Sequence, residues 1–199
     1  ENGFAILIKG GQVSLTSCHF NNMVSSNDKY IIYKDGNESE SLQISHSTFT
    51  FDAESSSCGA INVHNWNTLI VSDTTFTKCW TSPTNKPTLA GAVTYGNGGG
   101  IQNNCVVKFT NCIFDNCAYE LIPTFQLTTT NPIVFNGNTI KNCVYYNNIG
   151  IITISTSDPK PNQIISNSIF INNYQLEYNG NNESSGLLIK HQQSSPIEI

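Results

Sequence analysis

The chain contains no arginine and nine lysines, and charged residues make up only 12% of it. Phosphate recognition draws on Arg and Lys. With a net charge of −5 and no basic stripe, no nucleic acid partner is expected. No run of 18 apolar residues exists, so no membrane span is expected in this segment. No CxxC pair or Cys/His cluster has zinc spacing. The closest cysteines, Cys112 and Cys117, have no second pair to complete a site, and neither a metal nor a cofactor is expected. A charged leader with a cleavage site is also missing from the opening ENGFAILIKGG, which a mature or truncated chain would share. Rich in Asn, Ser, Thr and Gly and with a single Met, the chain does not read as helical.

Asparagine fills the polar role that charge leaves open, with 27 residues. Asn tolerates positive φ and suits turns. A repeat organises the rest. The segments VSLTSCHFNNM (13–23), LQISHSTFTFD (42–52), LIVSDTTFTKC (69–79), VKFTNCIFDNC (107–117), IVFNGNTIKNC (133–143) and QIISNSIFINN (163–173) share one template. Two alternate apolar positions are followed by polar residues, a small residue, an aromatic or Ile, and a closing position. The aromatic column is Phe20, Phe49, Phe76, Phe114, Ile140 and Phe170, at intervals of 29, 27, 38, 26 and 30. The small column is Cys18, Ser47, Thr74, Cys112, Asn138 and Ser168; the closing column is Met23, Asp52, Cys79, Cys117, Cys143 and Asn173. Ile197 and Ile199 begin a seventh copy.

Each copy carries a further apolar strand upstream: FAILI (4–8), YIIY (30–33), GAINV (59–63), GAVTY (91–95), TFQLT (124–128), GIITI (150–154) and GLLIK (186–190). Period-two alternation with no helix, repeating one side chain every 30 residues or so, calls for stacked rungs rather than a sandwich. The expected fold is an all-β, right-handed parallel β-helix of about six and a half rungs, its hand resting on the general rule for parallel crossovers. Equivalent residues then lie about 4.8 Å apart, Phe on Phe. Asn22, Asn116, Asn142 and Asn172, two places after the aromatic, are expected in left-handed turns with their amides bonding along the coil. The long fourth repeat holds two loop-like insertions, 81–90 and 96–104. The chain starts within a strand and stops inside a repeat, so residues 1–199 are expected to be one β-helix segment of a longer protein, with neighbouring rungs as partners.

The tetrapeptides CGAI (58–61), AGAV (90–93), GGGI (98–101) and FINN (170–173) resemble the GGA[ILV] and FxxN elements of polymorphic outer membrane protein repeats. FTKC (76–79) and FDNC (114–117) carry Cys where that family has Asn. The resemblance spans nearly the whole chain and implies a secreted or cell-surface passenger used for adhesion or display.

β-Helices also host polysaccharide lyases and hydrolases, so catalysis has to be sought in residues. Glycoside hydrolysis uses two carboxylates roughly 5–10 Å apart. Here the acids are scattered through turns; Asp73 and Asp115 fall in strands, in different columns and facing outward. His19 and His46 read as solvated surface residues. Trp66, Trp80, Tyr145 and Tyr146 lie outside the core columns and are candidate binding aromatics. The sequons at Asn37 and Asn182 sit in polar loops and are glycosylation candidates. Cys79, Cys117 and Cys143 share one column in successive repeats, where a disulfide can bridge one adjacent pair or all three can form a reduced core ladder.

The expected function is a non-catalytic surface or extracellular scaffold for adhesion or assembly, with protein or glycan partners. The alternatives are a carbohydrate-active β-helix enzyme with its catalytic rungs outside this segment, favoured by clustered acids on one face, and a structural component of a filament or coat, favoured by apolar outer faces.

Overall fold

The computed structural model describes residues 5–23, 29–36, 40–51, 58–63, 68–79, 92–95, 106–117, 133–146, 152–155, 163–176, 189–192 and 197–198. Among these residues there is no helix, and every strand pair is parallel. The chain is a β-solenoid with three principal faces. The first stacks Ile6–Lys9, Lys29–Asp35, Cys58–Val63 and Val93–Tyr95. The second stacks Gln12–Thr16, Ser41–Ser45, Thr68–Ser72, Val107–Thr110, Ile133–Asn136, Gln163–Ser166 and Ile197–Glu198. The third stacks His19–Met23, Thr48–Phe51, Thr75–Thr77, Ile113–Asp115, Thr139–Lys141 and Ile169–Ile171. Two short pairs accompany them, Val144–Tyr146 with Tyr174–Leu176 and Ile152–Ser155 with Ile189–Gln192.

The fold class matches the sequence reading, but the turn count does not. About three turns repeat regularly, near every 29 residues. The aromatic intervals of 29 and 27 give way to 38 and then 26, which breaks the even repeat, while the parallel register of the second and third faces continues across the long interval. The TFQLT strand and both insertions lie outside the described residues.

Register follows the template residue by residue. Leu15, Ile44, Val71, Phe109, Phe135 and Ile165 form one inward column of the second face. On the third face Phe20, Phe49, Phe76 and Phe114 stack with ring centroids 4.8, 5.2 and 4.9 Å apart and planes within 8° of parallel. Ile140 and Phe170 continue that column. Phe109 and Phe135 make a second stack at 5.1 Å, with Phe109 also 6.2 Å from Phe114. Each fully buried ring contributes about 2–3 kcal/mol by leaving water. The closing column departs from the alignment once: Met23 pairs with Phe51, across a register shift, and Phe51 is buried. A second ring in the strand Thr48–Phe51 fills the position assigned to Asp52, because burying an aromatic is favourable where burying a carboxylate is not.

The corners use left-handed backbone. Asn22, Asn116, Asn142 and Asn172 all have φ near +50°, as does Lys78. In that column Asn142 Nδ2 donates to Asp115 Oδ1 at 2.9 Å. A second left-handed column, unanticipated, runs through Ser17, His46, Asp73, Asn111, Gly137 and Asn167. Asp73 is thus a corner residue and not a strand residue. The ladder continues through this corner, with N–H to C=O distances of 3.0 Å for Ser17 to Ser45, 3.2 Å for His46 to Ser72 and 3.0 Å for Asp73 to Thr110. At Gly137 (φ +68°) a Cβ would come within 2.5 Å of Asn111 Oδ1, so glycine suits the position for space as well as for backbone angle.

Between the corner and the aromatic, the small column solves a hydrogen-bonding problem. Ser47 Oγ accepts from Cys18 N (3.1 Å) and donates to Ser45 O (2.8 Å). Thr74 Oγ1 does the same for Ser47 N (3.4 Å) and Ser72 O (2.7 Å). Fully buried Asn138 accepts from Cys112 N (2.9 Å) and donates to Phe109 O (3.1 Å). Asn173, the last residue of FINN, repeats that pattern at the closing corner, with Cys143 N and Ile140 O both at 2.9 Å. Short polar side chains satisfy backbone groups that a turning chain would otherwise bury unpaired.

Candidate functional site

The inward columns are committed to packing, so the outward columns are where a partner would be met. On the second face Thr16, Ser45, Ser72, Thr110, Asn136 and Ser166 stand in register. Thr16 Oγ1 lies 3.2 Å from Ser45 Oγ, and Ser166 Oγ lies 3.0 Å from Asn136 Oδ1. Thr110 Oγ1 is buried without a hydrogen-bond partner among the described residues. On the third face the outward side carries Thr48, Thr50, Thr75 and Thr77 in two facing pairs. Farther along the coil exposed apolar residues join it, Ile113, Ile169, Ile171 and, just beyond, Tyr174 at 38%, 54%, 43% and 50%, with Thr139 and Lys141 in register between them.

Asp73 and Asp115 are both bonded to neighbouring turns. Asp73 is exposed and accepts from Asn111 Nδ2 at 3.3 Å. Asp115 takes Asn142 Nδ2 at 2.9 Å and Lys141 Nζ at 3.2 Å, the latter a half-exposed pair of small energetic weight. His19 and His46 are exposed, and His19 Nδ1 lies 2.9 Å from Thr48 Oγ1. Among the described residues no group of three His, Cys, Asp or Glu is arranged to hold a metal ion.

The cysteine column is a ladder of free, buried thiols at Cys79, Cys117 and Cys143. Cys117 Sγ lies 3.6 Å from Phe76 O, and Cys143 Sγ lies 3.6 Å from Phe114 O and 3.2 Å from Lys141 O. Burial pushes the Cys117 thiol well up. Cys143 is raised first by its hydrogen bond with Cys117 and then by burial. Cys112, in the small column, is pushed up to about 12 by burial. The thiolate is the nucleophile, so these three groups are poorly suited to nucleophilic chemistry at neutral pH.

Lys34 is the functional group that sequence reading passed over. It is fully buried, its Nζ 3.2 Å from Glu40 Oε2 and 3.4 Å from Asp35 O. It stands in the inward column between Ile8 and Val63. The signal was present, since Lys34 keeps the phase of Ile32 two residues on. Next to it, Tyr33 has its phenol raised by burial and by the charge of Asp35.

Tyr145 and Tyr146 belong to the strand Val144–Tyr146 and pair with Gln175 and Leu176. Trp66, Trp80, Asn37 and Asn182 lie outside the described residues. No helix of the described residues is long and apolar enough to cross a membrane. In comparison with known proteins, no family model, no curated protein and no solved structure matches this chain.

Proposed function

We propose that this chain is a non-catalytic β-solenoid scaffold of a cell surface or extracellular space, offering its outer ladders to protein or glycan partners in adhesion or assembly. The observation that carries this reading is the outward column of the second face. Short, uncharged polar side chains from Thr16 to Ser166 repeat at the strand spacing and run roughly 24 Å along the coil, five of them besides Thr110, whose hydroxyl is buried. A row of hydroxyls and amides at one fixed interval suits a partner that is itself repetitive, such as a polysaccharide or another sheet. The tetrapeptide resemblance to displayed passenger proteins supports the same location.

The test is binding of the purified chain to a glycan array and to immobilised cell-surface extract, alongside a Ser45→Lys, Ser72→Lys variant with unchanged circular dichroism. Loss of at least about tenfold in affinity is expected, near 1.4 kcal/mol. A variant that binds as well as the parent sinks the ladder reading. Release of reducing ends from a polysaccharide by the parent sinks the non-catalytic part and favours the carbohydrate-active alternative. The exposed residues Ile113, Ile169, Ile171 and Tyr174 support a second reading, packing of the coil into a filament or coat. Sedimentation of the parent against an Ile169→Asn, Ile171→Asn variant separates that reading from the first.

A further inference from the structure

We propose that the thiol column is a covalent cross-link site of restricted choice, in which Cys117 joins either Cys79 or Cys143 and the cysteine left over stays a free thiol. The site stands whether or not the scaffold role holds.

The argument starts from the ladder around it. The rings of Phe76 and Phe114, three residues ahead of Cys79 and Cys117, are 4.9 Å apart, and Phe114 is in register with Ile140. Backbone bonds carry that register to the residue just before each cysteine, Lys78 N to Asp115 O at 3.1 Å and Asn116 N to Lys141 O at 3.0 Å. Successive cysteines therefore sit one strand spacing apart, about 4.8 Å, inside the Cα window of roughly 4.4–6.8 Å that a disulfide accepts. Cys79 and Cys143 are two spacings apart, about 9.6 Å, which no disulfide spans without backbone movement. The sulfurs also lean the right way. Cys117 Sγ reaches the Phe76 carbonyl of the preceding turn, and Cys143 Sγ reaches that of Phe114. Cys117 and Cys143 are thus each directed along the coil toward the preceding turn. One sulfur forms one disulfide, so the central position forces the choice.

The oxidant is a small-molecule disulfide. A Cys117 thiolate attacks it, forming a mixed disulfide and releasing one small thiolate. The thiolate of Cys79 or Cys143 then attacks the Cys117 sulfur and displaces the second small thiolate. Two protein thiols are oxidised and one disulfide is reduced to two thiols, the two protons passing to the released thiolates. Burial makes the exchange slow, gated by opening of the corner.

The experiment incubates the folded chain with oxidised glutathione, blocks residual thiols under denaturing conditions, and maps fragments after cleavage at lysine. Lys78, Lys108 and Lys141 place Cys79, Cys117 and Cys143 in three different fragments. The expected map has the fragment 109–141 joined through Cys117 to that of Cys79 or of Cys143, with the remaining one of the two alkylated. A Cys143→Ala variant is expected to send the whole cross-link to Cys79. The proposal is overturned by a Cys79–Cys143 link, by a link through Cys112, or by full alkylation of all three. If the variant fails to fold, the parent's map decides alone.

Discussion

Replacing Phe76 by Ala tests whether the ring column is the axis of the coil's stability. Phe76 is fully buried between Phe49 and Phe114, with ring centroids 5.2 and 4.9 Å away. Core Phe→Ala changes cost about 3–5 kcal/mol, and two ring contacts supply about 1–3 kcal/mol of that. Phe20 is the built-in comparison, because it is half-buried and has a single ring neighbour in the column, Phe49 at 4.8 Å. Its truncation should cost about 1–2 kcal/mol. Urea unfolding followed by circular dichroism gives both values. Hydrogen exchange adds a spatial check, since rungs of a solenoid couple to nearest neighbours. Phe76→Ala should raise exchange in Thr48–Phe51, Thr75–Thr77 and Ile113–Asp115 and leave Ile169–Ile171 unchanged. Costs for Phe76→Ala and Phe20→Ala agreeing within about 0.5 kcal/mol would refute the reasoning, since the stack would then add nothing beyond generic burial.

Three further outcomes follow from the buried polar groups. Glu40→Ala leaves the Lys34 ammonium without its carboxylate and should lose about 3 kcal/mol, whereas Lys34→Met, Glu40→Leu together should be near neutral, both read from urea midpoints. Asn138→Leu strands Cys112 N and Phe109 O and should cost about 2–4 kcal/mol; an unchanged midpoint would show that the corner amide is dispensable. The raised thiols of Cys112, Cys117 and Cys143 hold protons in the folded state that the unfolded chain gives up above about pH 8.5. Stability should therefore be intact below that pH and fall as pH rises toward the folded values, by about 1.4 kcal/mol per pH unit for each thiol. Urea midpoints from neutral to alkaline pH check this, and Cys112→Ala should make the slope shallower; a flat profile in the parent counts against it.

The columns were legible because a coil converts a sequence interval into a contact. Phe20, Phe49, Phe76 and Phe114 share one environment, and the same physics selects the same ring each time. The left-handed Asn column could be read for a similar reason, since few other residues adopt that backbone cheaply. The other corner hid behind variety: Ser17, His46, Asp73, Asn111 and Gly137 share a φ but no side-chain chemistry, because their backbone bonds to the next turn hold the conformation whatever projects outward. Asp52 was misplaced because the template counts residues, and the bulge between Phe20 and Met23 shifts the count by one. Lys34 escaped because its charge reads as surface, while the phase of its strand and a carboxylate six residues on put it inside. The functional surface was least legible of all. Outward positions such as Thr16 and Ser166 answer to a partner, and nothing in the fold itself dictates their identity.

The side-chain caps give the coil a direction in time as well as in space. Ser47 serves Cys18, Thr74 serves Ser47, Asn138 serves Cys112, and Asn173 serves Cys143; in each case the later turn closes the earlier one. During synthesis, a newly emerged turn therefore waits for its successor before its corner amide is satisfied, and each arrival completes the layer beneath it. Losing an earlier turn frees the backbone N–H groups that it received, such as Thr48 N on Cys18 O and Thr75 N on Ser47 O, but leaves the later turns' side-chain caps whole. Losing a later turn removes the cap itself and reopens the corner beneath it, so the caps, unlike the backbone ladder, respond to only one direction of loss.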